Sequence, residues 1–222
     1  MVGGKTVRTA VLVSGGGTNL QAIIDANAFD EIPNFELAAI ISSSPDAYAL
    51  QRAEFASIPA YVVDRSIFPN RTSFSHAIHQ KLVDLDIELV VNAGFLYVLD
   101  EPLVRAYTNR VINVHPALIP SFCGMGFYGL RVHQAALDYG VKVTGATVHF
   151  CTAEADEGPI ILQRAVEIRE DDTAETLQRR VMEEAEWKLL PEAISLYCEG
   201  RLEVNGRRVI IKDAKPTEEI QI

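Results

Sequence analysis

The stretch TVRTAVLVSGGGTNLQAII, residues 6–24, decides the fold. An apolar, β-branched run over 6–13 enters three glycines, Gly15, Gly16 and Gly17, and then an amphipathic segment over 19–28. A buried strand, a tight turn and a helix in that order make the first half of a βαβ unit. The same alternation continues outward. Further strands are expected at 35–42, 60–63, 89–92, 110–113, 142–150 and 160–168, and helices at 47–56, 71–85, 101–107, 130–139 and 174–198. Asp172 or Thr173 supplies the N-cap oxygen of the last helix. Asn205-Gly206 between apolar runs reads as a C-terminal hairpin. Strands that alternate with helices predict an α/β fold, with a mostly parallel central sheet flanked by helices.

Composition narrows the class. Hydrophobic residues at 48% and charged residues at 23% give an ordinary globular balance over 222 residues, so one domain over 1–222 is expected, with a core at about 6–212 and a loose polar tail at 213–222. The net charge of -10 opposes a non-specific grip on nucleic acid or on an anionic membrane. No apolar run approaches the roughly 20 residues of a membrane span. The start, MVGGKTVRT, has no apolar signal core, so a cytoplasmic location is expected. Cys123, Cys151 and Cys198 are too scattered for a disulfide framework or a metal clip, and no metal is expected.

In such sheets ligands bind outside the carboxyl ends of the strands. After the first strand, glycines allow close backbone approach to an anion, and the helix that follows offers unpaired N–H groups. The loop reads as a phosphate site; the bland alternative is a tight turn with Thr18 or Asn19 capping the helix. It lacks the Gly-Lys-Ser/Thr ending of a P-loop, and the second strand ends in ISSS rather than in an acidic ribose anchor, which removes NAD.

Further on, VINVHPALIP puts Asn113 and His115 two residues apart on an extended segment, facing the same side. Amide donors and an imidazole together suit a developing oxyanion. Asp156 lies in the acidic loop CTAEADEGP, where composition alone reads Asp156 and Glu157 as solvated turn residues; the ends of two parallel strands can nevertheless bring Asp156 beside His115, to orient the ring and raise its pKa. His149, on the strand before that loop, is either a supporting partner or a satisfied buried histidine. His76, His79 and His133 fall in helical stretches and take surface or packing roles.

These motifs, SGGGTNLQAII, NAGFLYVL at 92–99, INVHPALIPSF at 112–122 and GATVHFCTAEADEGPIILQ at 145–163, closely resemble the folate-dependent formyltransferases over about residues 7–205. The glycine loop with Thr18 and Asn19 is similar to the branch that acts on a purine-pathway ribonucleotide. The resemblance implies a Rossmann-like formyltransferase fold. It also implies formyl transfer from 10-formyltetrahydrofolate, as co-substrate, to the amine of 5-phosphoribosyl-glycinamide. It makes Asn113, His115 and Asp156 the catalytic trio. Gly17, Thr18, Asn19 and Glu186 become ribonucleotide contacts; Arg71, Leu96, Tyr97, Val98 and Leu99, with Asn113, become folate contacts. The partners implied are these small molecules, in a monomer or a homodimer. The segment SFCGMGFYGLRVH is longer and richer in glycine than the family's common short form, and His133 receives no substrate role. The rivals are a formyltetrahydrofolate hydrolase or another formyl-folate enzyme, including one acting on methionyl-tRNA, and a non-catalytic folate- or nucleotide-binding regulator. The hydrolase and the tRNA enzyme usually carry an extra domain, for which nothing beyond about residue 212 suffices.

Overall fold

The computed structural model describes residues 5–213; residues 214–222 of the expected polar tail lie outside the described residues. One continuous sheet carries nine strands, β1 Val7–Val13, β2 Phe35–Ser42, β3 Ala60–Val62, β4 Leu89–Asn92, β5 Val111–His115, β6 Val143–Phe150, β7 Ile160–Glu167, β8 Leu202–Asn205 and β9 Arg208–Ile211. The helices are α1 Thr18–Ala28, α2 Ala49–Phe55, α3 Arg71–Asp84, α4 Glu101–Ala106, α5 Leu130–Tyr139, α6 Ala174–Val181 and α7 Trp187–Cys198. Among the described residues no helix is long and apolar enough to cross a membrane.

Successive side chains of β1 point to opposite faces and bury both. Val11 and Val13 pack with Leu20 and Ile23 of α1 and Leu189 and Ile194 of α7. Ala10 and Leu12 pack with Phe74 and Ile78 of α3 and Leu103 of α4. Helix starts are fixed locally: Asn70 Oδ1 accepts from the Ser73 N–H at 2.9 Å, Asp100 from Leu103, and Thr173 forms a capping box with Thr176. Thr173 is therefore the cap of α6, while Asp172 accepts from Arg180. The single helix expected over 174–198 is interrupted: a π-helical turn at Met182–Glu186 joins α6 to α7. Such a turn inserts a residue into the helical ladder, and the side chains after it rotate to a new face.

The strand order β3-β2-β1-β4-β5-β6-β7-β9-β8 positions the site. β1 is flanked by β2 on one side and β4 on the other, both parallel to it. The chain leaves β1 toward one edge and returns to the opposite side, so the loops after β1 and β4 diverge and leave a crevice, the usual ligand position of a doubly wound sheet. The sheet is parallel from β3 to β5 and then reverses, with β6 antiparallel to both β5 and β7. The expectation that two parallel strand ends bring Asp156 to His115 is therefore corrected. The loop after β6 starts from the opposite end and has to fold back over β5. A sharp turn makes that return possible: a Cβ on Gly158 would lie 1.6 Å from the Phe150 carbonyl oxygen, which leaves room for glycine alone.

Candidate active site

A cleft of about 470 Å³ opens at the crevice. Its wall takes in Gly17, Thr18 and Asn19 from the first loop, Leu96 to Leu99 from the loop after β4, Asn113 and His115 from β5, His149 from β6, and Asp156 and Glu186. The structure thus gathers the sequence candidates from distant parts of the chain, with one exception. Arg71, at the exposed start of α3, lies outside the cleft lining. A larger groove of about 920 Å³ between α1 and α7 meets the cleft only near Thr18 and contains none of the Asn-His-Asp group.

The antiparallel register sets Asn113 directly opposite His149. His149 is 1% exposed, and its Nδ1 lies 2.9 Å from the Phe150 carbonyl. A carbonyl only accepts, so Nδ1 carries the proton and Nε2 accepts from the Asn113 amide at 3.1 Å. His149 is thus both a satisfied buried histidine and the partner that fixes the Asn113 amide.

His115 is 4% exposed, and its Nε2–H donates to the Phe122 carbonyl at 2.9 Å. Its Nδ1 faces Asp156 Oδ2 at 3.6 Å, while Asp156 Oδ1 lies 3.6 Å from His149 Nε2. Burial pushes the His115 pKa down, the Asp156 carboxylate pushes it up, and burial prevails, so the ring ends below the ordinary histidine value. The expected upward push by Asp156 is present, yet it does not hold the free ring charged at neutral pH. Burial also pushes Asp156 up; its polar surroundings, the Gly124 N–H among them, outweigh it, and the carboxyl titrates below its usual value. Asp156 sits at φ 58°, a left-handed conformation uncommon for a non-glycine residue and typical of constrained sites.

Sequence reasoning gave no role to the glycine-rich segment after the His-Pro motif. Here its backbone holds two of the three polar groups: the Phe122 carbonyl takes His115, and the Gly124 N–H donates to Asp156 at 2.8 Å. Phe122 and Gly124 both have positive φ, which turns these two groups toward His115 and Asp156. The density of glycine in SFCGMGFYG was the available signal. Below it, Thr147 Oγ1 donates to the Ala117 carbonyl at 2.7 Å and accepts from the Ile119 N–H, bracing the His-Pro turn from β6. His133 is fully buried on α5, with its pKa pushed down to about 4 by burial and by His115, in keeping with a neutral packing role.

At the other end of the cleft the glycine loop enters α1. Gly17 has φ 72°, and a Cβ there would meet Ala49 Cβ at 2.7 Å, so this position is glycine for packing as well as for conformation. Asn19 Nδ2 donates to Glu186 Oε2 at 2.6 Å. Glu186, delivered to the cleft by the π-helical turn, is 4% exposed, and burial pushes its pKa up to about 7 against the downward pull of Asn19. Asn19 Oδ1 is buried without a hydrogen-bond partner. The Leu96 N–H donates to Ser14 Oγ at 3.0 Å, tying the loop after β4 to the loop after β1, and the Tyr97 ring meets Phe74 edge-on at 5.5 Å. Among the described residues no group of three or more His, Cys, Asp or Glu side chains is placed to hold a metal ion.

Polar donors facing a buried imidazole and carboxylate, beside a loop with free N–H groups, suit transfer of an acyl-type group onto an anionic acceptor. Comparison with known proteins gives the same direction. Residues 7–194 match the family described as formyl transferase. The trifunctional purine biosynthetic protein adenosine-3 of Bos taurus is 41% identical over 205 residues, which cover 91% of this chain and 20% of that protein. The chain thus spans about a fifth of the length of that relative. Phosphoribosylglycinamide formyltransferase of Haemophilus influenzae is 38% identical, over 88% of this chain and 89% of its own. The crystal structure of glycinamide ribonucleotide transformylase 1 from Symbiobacterium toebii superposes with a TM-score of 0.89 at 46% identity, covering 95% of this chain and 96% of that one.

Proposed function

The chain belongs to the formyl transferase family, and on that premise we propose that it transfers the formyl group of 10-formyltetrahydrofolate to the amine of 5-phosphoribosyl-glycinamide. The observation that carries the reading is one cleft with two ends: a glycine loop at the head of α1, and Asn113, His115 and Asp156 from far along the chain. Relatives and solved structures named for this reaction, matching nearly the whole chain, support it.

In this reading the phosphate rests on the N–H groups around Gly17, Thr18 and Asn19. Glu186 faces the ribonucleotide, and the folate lies along Leu96 to Leu99. The neutral amine attacks the formyl carbon, and negative charge gathers on the formyl oxygen. The free N–H of the Asn113 amide and the His115 Nε2–H, which rests on the Phe122 carbonyl, turn to that oxygen as charge develops. One such donor is typically worth about 3 kcal/mol of the barrier. The growing oxyanion also opposes the effect of burial on His115, so the ring gains proton affinity during the reaction, with Asp156 ready to receive an Nδ1–H. The carbon–nitrogen bond to the folate then breaks, and the proton lost by the amine reaches the folate nitrogen by way of Asp156. Holding both substrates in one cleft adds the entropic share.

The test is consumption of 10-formyltetrahydrofolate by the purified protein with and without glycinamide ribonucleotide. Turnover only with the ribonucleotide, giving its formyl derivative, is expected. Equal release of formate without it would replace this reading with the hydrolase.

A further inference from the structure

The glycine loop lacks something that a phosphate site normally has. No Lys or Arg stands among the residues lining the cleft, and the chain as a whole carries -10. A phosphate dianion there would rest on backbone N–H groups alone unless a cation acts from behind the loop.

Helix α2 lies behind it. The Ala49 N–H donates to the Gly15 carbonyl at 3.0 Å, and Arg52 Nε donates to the Gly16 carbonyl at 2.9 Å. In a trans peptide the C=O and the N–H point in opposite directions. Drawing these two carbonyls toward α2 therefore turns the N–H groups of Gly16 and Gly17 away from it, and both residues line the cleft. Arg52 is itself fixed: Nη1 donates to Gln21 Oε1 at 2.9 Å, and the guanidinium sits 5.0 Å from the Tyr48 ring centroid. Its hydrogen-bond acceptors are a backbone carbonyl and a neutral amide, so its charge is not spent on a carboxylate there.

We propose that Arg52 is a positioning residue for the phosphate of the acceptor substrate: it orients the Gly16–Gly17 peptide toward the anion and lends the loop a full positive charge from outside the cleft. The inference rests on the reading that this loop takes the phosphate. Lysine would not substitute fully, because an ammonium keeps the charge but lacks the fork that holds Gly16 and Gln21 together.

The experiment compares glycinamide ribonucleotide with its dephosphorylated riboside as acceptor, in the full chain, for the wild type, Arg52→Gln and Arg52→Lys, with thermal unfolding of each. For Arg52→Gln the KM for the ribonucleotide should rise about 10- to 100-fold, the range expected for hydrogen bonding that involves a charged group. The kcat at saturation, the KM for formyl-folate and the kcat/KM on the riboside should hold, and Arg52→Lys should fall between. Equal losses on riboside and ribonucleotide would reduce Arg52 to a support of the fold. Undiminished preference for the ribonucleotide in Arg52→Gln would overturn the proposal and leave the phosphate loop standing. A wild type that uses both acceptors equally well would remove the phosphate loop itself, and this inference with it. If Arg52→Gln fails to fold, Arg52→Lys decides, since a phosphate preference equal to that of the wild type in that variant overturns the role of the fork.

Discussion

Replacing Glu186 with glutamine removes a charge that the fold does not tolerate easily. Its carboxyl is buried between α1 and the π-helical turn, with Asn19 Nδ2 on one oxygen, and burial raises its pKa from 4.5 to about 7. At about 1.4 kcal/mol per pH unit, ionisation of this group costs the native state about 3 kcal/mol relative to the unfolded chain. The sign follows from proton counting. Between pH 4.5 and 7 the native state binds more protons here than the unfolded state, so stability is full below the unfolded value and falls as pH rises through the native one. Glutamine has nothing to ionise, and its amide oxygen can still accept from Asn19 Nδ2. Glu186→Gln should therefore gain on the wild type by about 2.5 kcal/mol between pH 5 and pH 8, or about 5–10 °C in Tm for a chain of this size. Urea unfolding of both proteins at the two pH values measures it, and the difference between the variants cancels every other titrating group. Parallel stability curves for the two proteins would refute the reasoning, because Glu186 would then be ionised in the native state at no cost.

Asn113→Ala and His115→Ala should each lower kcat by about 10²-fold or more, since each deletes a donor to the oxyanion; steady-state kinetics showing near-normal turnover in both would break the assignment. Asp156→Asn removes the larger of the two contributions that raise the His115 pKa and leaves only the Phe122 carbonyl to oppose burial, so a histidine NMR titration should find the ring titrating lower still than in the wild type. The same variant should lose about 10²- to 10⁴-fold in turnover if the carboxylate relays the proton. Gly158→Ala places a methyl against the Phe150 carbonyl, so chemical denaturation should show a loss of more than about 3 kcal/mol, in the range reserved for backbone strain and overpacking.

Much of the molecule is local physics and was legible in the sequence. The strand, glycine turn and helix over 6–28 follow from an apolar run, three glycines and an amphipathic segment; the start of α3 follows from Asn70, and that of α6 from Thr173. The pairing of Asn113 with His115 on one face needed only the two-residue period of a strand. Glu186 was named through family resemblance, and composition alone would have left Asp156 as a solvated turn residue, drawn to His115 only by a strand-end argument whose parallel geometry the fold replaced. Tertiary structure decided what depends on neighbours far along the chain. The reversal between β5 and β6 placed His149 against Asn113 and required the Gly158 turn to return Asp156 to His115. The π-helical turn delivered Glu186 to Asn19. The burial of His115 set its charge, and the position of α2 put Arg52 behind the glycine loop. A residue's secondary-structure preference is largely set by its own backbone and its nearest neighbours. Its proton affinity and its hydrogen-bond partners are sums over everything packed around it, and those sums exist only once the chain has closed on itself.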